Sequence, residues 1–143
     1  MGLKIKKSGI ERLDTNIMIR YITRDNEKML KKVKKLFSNR DKLYVFEDAA
    51  MMEVVYVLST EFYKYPRELI AAKIKAVMKT ENLVLNKGLI EGSLDLYVKY
   101  PQLSFVDCYL SVASAISNEK PLWTFDKALA KKLPSIAKEL QRF

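Results

Sequence analysis

The chain has 143 residues, 49% of them hydrophobic and 30% charged, with a formal charge of +9 and no histidine. This suits one folded domain with a real core. It excludes histidine zinc sites, triads with a histidine base and histidine acid–base nucleases.

Residues 1–8 are polar and basic and read as a loose arm. Residues 9–13 form a short strand, which Glu11 and Arg12 interrupt. A short helix over 16–23 begins just after Asp14, and Asn26 caps a second over 27–37. In the second helix Leu30, Val33 and Phe37, with Met29 and Leu36, make an apolar face opposite the lysines. Residues 43–46 are a strand, and Asp48 stands where it can cap the helix that follows, through about 63. Pro66 suits the first turn of a helix over 66–79, and 83–85 is a short strand. The helix over 91–100 stops before Pro101. Asp107 opens or caps a helix to about 118, whose Ser111, Ala113, Ser114 and Ala115 allow close packing. Residues 122–125 are a strand, and Asp126 begins a last helix containing Ala128 and Leu129. Short strands alternating with longer helices predict an α/β fold with a parallel sheet covered on both faces, residues 9–143 forming a single domain.

The lone cysteine, Cys108, cannot close an internal disulfide and fits a reducing cytoplasm. No apolar run approaches a membrane span, and the N-terminus has no signal-peptide core, so no membrane partner is expected. The positive charge instead points to a polyanion, most simply nucleic acid. Lysines cluster at 4, 6 and 7, along 28–35, and at 127, 131 and 132.

Asp14, Glu53, Asp107 and Asp126 each lie in an apolar context. A carboxylate withdrawn from water needs a compensating partner. In a parallel α/β sheet, ligands bind at the carboxyl ends of the strands. Asp14 and Asp126 each follow a strand, Glu53 lies about a turn into a helix after one, and Asp107 is at a helix start. All four can therefore meet at one sheet end. Oxygen ligands without histidine suit a hard cation, Mg²⁺ or Mn²⁺, which can activate water and neutralise a phosphodiester leaving oxygen. Residue types alone thus indicate metal-dependent phosphodiester hydrolysis.

Leu-Asp-Thr-Asn around Asp14, Glu53 within Met-Glu-Val-Val-Tyr-Val-Leu, Phe-Val-Asp at Asp107 and Thr-Phe-Asp-Lys-Ala-Leu around Asp126 resemble the PIN-domain family, closest to VapC-type toxins. The resemblance runs from about Gly9 to Leu133. It implies a three-layer α/β/α PIN-like fold with a short, mainly parallel central sheet, and an Mg²⁺- or Mn²⁺-dependent endoribonuclease. It makes Asp14 and Asp107 principal metal ligands, while Glu53 and Asp126 complete the set, hold a second ion or position the attacking water. Asn16 and Thr124 match positions that orient the carboxylates, and Arg20 and Lys127 are candidate RNA contacts. A homodimer and an inhibitory VapB-type antitoxin also follow from the resemblance.

Plainer readings compete. Asp14, Asp107 and Asp126 can be helix caps, which does not preclude metal binding. Glu53 has no capping role; its plain reading is the exposed edge of a buried helix, or a lysine pair. For Trp123 and the tyrosines, packing is favoured over base stacking, and Cys108 reads as a small buried residue. At the level of function, the alternatives to a toxin are a PIN nuclease of RNA processing or quality control and a non-catalytic PIN-like scaffold.

Overall fold

The computed structural model describes residues 9–141; the basic arm expected over 1–8 lies outside them. The chain divides into two compact units, Met1–Asn86 and Lys87–Phe143.

The first unit contains β1 (Ile10–Arg12), α1 (Thr15–Thr23), α2 (Glu27–Phe37), β2 (Leu43–Val45), α3 (Asp48–Ser59), α4 (Arg67–Val77) and β3 (Leu83–Val84). Its strands are all parallel, in the order β1-β2-β3, with Arg12 opposite Val45 and Val45 opposite Val84. As an edge of this sheet, β1 is exposed along its length, which is why it tolerates Glu11 and Arg12. Glu11 pairs with Lys42 at 2.6 Å and Arg12 with Glu47 at 3.3 Å. Helix α1 packs on α2, α3 and α4. Met18, Val54, Leu58, Ile70 and Ile74 are completely withdrawn from solvent. Buried Asn82 donates to the carbonyls of Phe37 and Asn39, both at 3.1 Å, and so ties the end of α2 to the start of β3.

The second unit contains α5 (Lys87–Lys99), α6 (Phe105–Ser117), β4 (Leu122–Thr124), α7 (Lys127–Lys132) and β5 (Ala137–Glu139). Strand β4 pairs with β5 in parallel, Trp123 facing Lys138 in register. Helices α5 and α6 pack together, burying Ile90, Leu94 and Cys108. Ser93 and Ser111 are also buried, their hydroxyls returned to the carbonyls of Leu89 and Asp107 at 2.6 and 2.8 Å. At Gly92 an added Cβ would lie 3.1 Å from Val112 Cγ1, so a side chain there would press on α6.

Parallel pairing agrees with the predicted α/β class, but the details differ. The strands form a three-stranded and a two-stranded sheet, and β5 was not expected because Ala-Lys-Glu has little strand propensity. Helix α3 ends at Ser59, where Thr60 turns extended and returns its hydroxyl to the Val57 carbonyl at 2.6 Å. Helix α5 starts at Lys87, earlier than expected, because a glycine in its first turn masks the helical pattern. Among the described residues, no helix is long and apolar enough to cross a membrane.

Candidate functional site

Asp14 stands immediately beyond β1, where the Leu13 N–H still donates to the Val45 carbonyl at 2.9 Å. Its extended backbone turns the chain into α1, and its Oδ1 accepts the Ile17 N–H at 3.1 Å. The second carboxylate oxygen accepts no hydrogen bond from the described residues. Asn16 is exposed in the first turn of α1. Helix α3 leaves the same end of the sheet, because β2 runs parallel to β1. Glu53 projects from α3 into solvent, away from the buried stripe of Met51, Val55 and Leu58. It lies about 7 Å along the helix from Asp48, at 1.5 Å per residue. Asp14 and Glu53 therefore belong to one end of the first unit.

The second unit repeats this arrangement. Asp107 is half-buried in the first turn of α6, where Ser104 and not Asp107 is the cap, accepting the Asp107 N–H at 3.1 Å. Asp126 caps α7, its Oδ1 accepting from the Ala128 and Leu129 N–H groups at 2.9 and 3.1 Å. The Thr124 hydroxyl accepts the Asp126 N–H at 2.9 Å and fixes the turn that presents this carboxylate. The chain reverses between α6 and β4, which pack on each other. From that reversal Asp107 is about 16 Å back along helix and Asp126 about 16 Å on along extended chain. Both lie at one end of the second unit.

The expectation of acids withdrawn from water is corrected. Asp14, Glu53 and Asp126 are exposed and Asp107 is half-buried. An apolar neighbour in sequence does not bury a carboxylate when helix or strand geometry turns it outward. Among the described residues, no three or more histidine, cysteine, aspartate or glutamate side chains come together to hold a metal. The donor types nevertheless fit a hard divalent ion. They are carboxylate oxygens, both aspartate caps spend only Oδ1 on their helices, and the single cysteine is buried.

Of the two expected RNA contacts, Lys127 is exposed at the start of α7. Arg20 is engaged instead by Asp25 at 3.1 Å. Asp25 also accepts from the Thr23 and Tyr63 hydroxyls at 2.8 and 3.0 Å, a cluster with no signal in the sequence beyond an aspartate after a helix. The Thr23 hydroxyl, followed by Tyr63 and Arg20, holds the Asp25 carboxyl below its ordinary value of 3.8, against the opposing effect of burial. Stability from this depressed carboxylate is complete above the unfolded value and is lost as pH falls through the folded one. Asp25→Asn is therefore expected to be less stable than the parent at neutral pH, with the gap narrowing below pH 3.8 in urea titrations. A gap independent of pH contradicts the assignment.

Lys34, Arg40 and Lys79, to which the sequence assigns no individual role, line one cleft with Tyr21 and Thr80. Their common signal is position, at the end of α2 and in the turns before β2 and β3.

No curated protein matches the chain. Among solved structures, VapBC2 from Rickettsia felis bound to a DNA fragment from their promoter is similar at 16% identity and a TM-score of 0.37, over 92% of this chain and 99% of that one. A likeness of that order decides nothing about this chain. The PIN domain family matches residues 13–133, a stretch that includes Asp14, Glu53, Asp107 and Asp126 and carries the expected α/β/α fold class. The chain therefore belongs to the PIN domain family.

Proposed function

We propose that this chain is a metal-dependent endoribonuclease of the VapC toxin type, residues 9–143 acting as one PIN-like domain. The observation that carries the reading is that the family match contains all four carboxylates in solvent-accessible positions. Members of this family are generally nucleases. Asp14 and Asp107 would be the principal ligands of Mg²⁺ or Mn²⁺, and Glu53 and Asp126 would complete the set. Such an ion, when bound, supplies a Lewis acid that activates water and offsets charge on the leaving oxygen.

The chain's own residues do the rest. The cap bonds of Asp14 and Asp126 fix one carboxylate oxygen each and leave the other to project outward. Thr124 holds the turn under Asp126, and Asn16 is available to orient Asp14. Glu53, exposed on α3, can accept a hydrogen bond from the attacking water and orient it. Lys127 contacts the RNA backbone, within the net charge of +9 that attracts a polyanion. Arg20 joins it only where the Asp25 pair opens. A cytoplasmic location, a homodimer and inhibition by a VapB-type antitoxin belong to the same reading.

The test is cleavage of labelled single-stranded RNA. Internal cuts that appear with Mn²⁺ or Mg²⁺ and stop with EDTA support it. Cutting that persists unchanged in EDTA overturns the metal-dependent mechanism.

A further inference from the structure

A cleft of about 500 Å³ in the first unit is lined by Tyr21, Lys34, Arg40, Lys79, Thr80 and Glu81. Its residues precede β2 and β3 or lie toward the ends of α1, α2 and α4, so it opens at the amino end of the sheet. Asp14 and α3 occupy the carboxyl end of the same parallel strands. With β2 three residues long, the two ends are separated by about 10 Å or more.

Lys34, Arg40 and Lys79 bring three positive charges, of which Glu81 offsets one by pairing with Arg40. The plain explanation is that cations near helix C-termini satisfy the dipoles of α2 and α4. Those two ends together amount to about one negative charge, which leaves about one positive charge unmatched. Glu81 takes one guanidinium N–H of Arg40 and leaves others to donate. Tyr21 and Thr80 share one hydrogen bond at 2.9 Å, so one of their two hydroxyl protons is spare. Arg24, outside the lining, is a further cation 5.8 Å from the centre of the Tyr21 ring. Spare N–H and O–H donors around unmatched positive charge are the chemistry of a phosphate oxyanion site.

The geometry points to this cleft as a phosphate-binding subsite that holds the backbone of single-stranded RNA away from the scissile bond. The assignment rests on the proposed reading that RNA is the substrate. It gives the sheet two unlike ends, one acidic for cutting and one basic for holding.

The test is equilibrium binding of a labelled single-stranded RNA to the full chain in EDTA, across a salt series, with cleavage in Mn²⁺ measured separately. Two double variants of equal charge change are compared. K34Q/K79Q removes the two lysines of the cleft, and K28Q/K32Q removes two exposed lysines from other faces of α2. Losing two single-strand phosphate contacts should reduce the slope of log affinity against log salt by about 1.4, or about sevenfold in the affinity change between 50 and 200 mM. That reduction in K34Q/K79Q, but not in K28Q/K32Q, is the expected result. Equal reductions, or none in K34Q/K79Q, overturn the subsite. A third arm titrates inorganic phosphate by calorimetry; sub-millimolar binding lost in K34Q/K79Q, with unchanged RNA slopes, makes the cleft a free-phosphate site and overturns the RNA assignment. Parent protein that binds RNA with the expected slopes but never cuts it overturns the nuclease reading alone.

Discussion

Asp14→Asn is expected to lower metal-dependent RNA cleavage by about a hundredfold to a thousandfold, the loss typical of removing one group that stabilises transition-state charge. Its stability should hardly change. Asparagine caps helices as well as aspartate does, so its side-chain oxygen can still accept the Ile17 N–H that Oδ1 accepts at 3.1 Å. What disappears is the negative charge on the outward oxygen. Asp14→Ala removes both functions, and should add a stability loss of about 1 kcal/mol to the activity loss. The pair of variants separates the two roles of one side chain. A fully active Asp14→Asn, with Asp14→Ala impaired only through stability, leaves Asp14 as a helix cap and nothing more. The same contrast applies at Asp126, whose Oδ1 serves two N–H groups of α7.

Leu58→Ala is expected to be the most damaging of these changes to stability. Leu58 is completely buried on α3, in the stripe with Met51, Val54 and Val55 that anchors the helix carrying Glu53. Truncating a leucine in such a site costs about 2–5 kcal/mol, through lost transfer free energy and an incompletely collapsed cavity. Against a total of about 5–15 kcal/mol for an ordinary domain, that is a large fraction. Urea unfolding followed by circular dichroism should show the midpoint falling with little change in slope. A loss below about 1 kcal/mol, inside the range of surface changes, contradicts the packing of α3. Glu53→Gln, exposed on the opposite face, should by contrast leave unfolding almost unchanged and lower cleavage.

What was legible in the sequence was mainly local. Asn26 caps α2 through the Met29 N–H, and the bounds Glu27–Phe37 came out as expected. Asp14 and Asp126 begin helices because a short carboxylate can reach an N–H two or three residues on, whatever surrounds it. The order of the four acids was sufficient to indicate the PIN domain family, which the match over 13–133 shows. Burial was not legible in the same way. Glu53 lies among Met52, Val54 and Val55, yet faces water, because one residue of helix rotates a side chain by about 100°. Ser104 displaced Asp107 as the cap of α6 because Phe105 and Cys108 are buried, which starts the helix earlier. Strand β5 forms from Ala-Lys-Glu because β4 offers it a parallel partner, a tertiary cause invisible in those three residues. The basic cleft was hidden for the same reason: Lys34 and Arg40 are far from Lys79 in sequence, and the three share only the amino end of a sheet.

The most direct test is a Mn²⁺ titration of the full chain, following the free-ion electron paramagnetic resonance signal, with the parent compared against Asp107→Asn. Asp107 is the chosen position because Ser104, not its own carboxylate, caps α6, so the change leaves the helix start intact. Saturable Mn²⁺ binding by the parent, weakened at least about tenfold in Asp107→Asn, is the expected result. Equal affinity in the two proteins contradicts a metal centre built on these carboxylates.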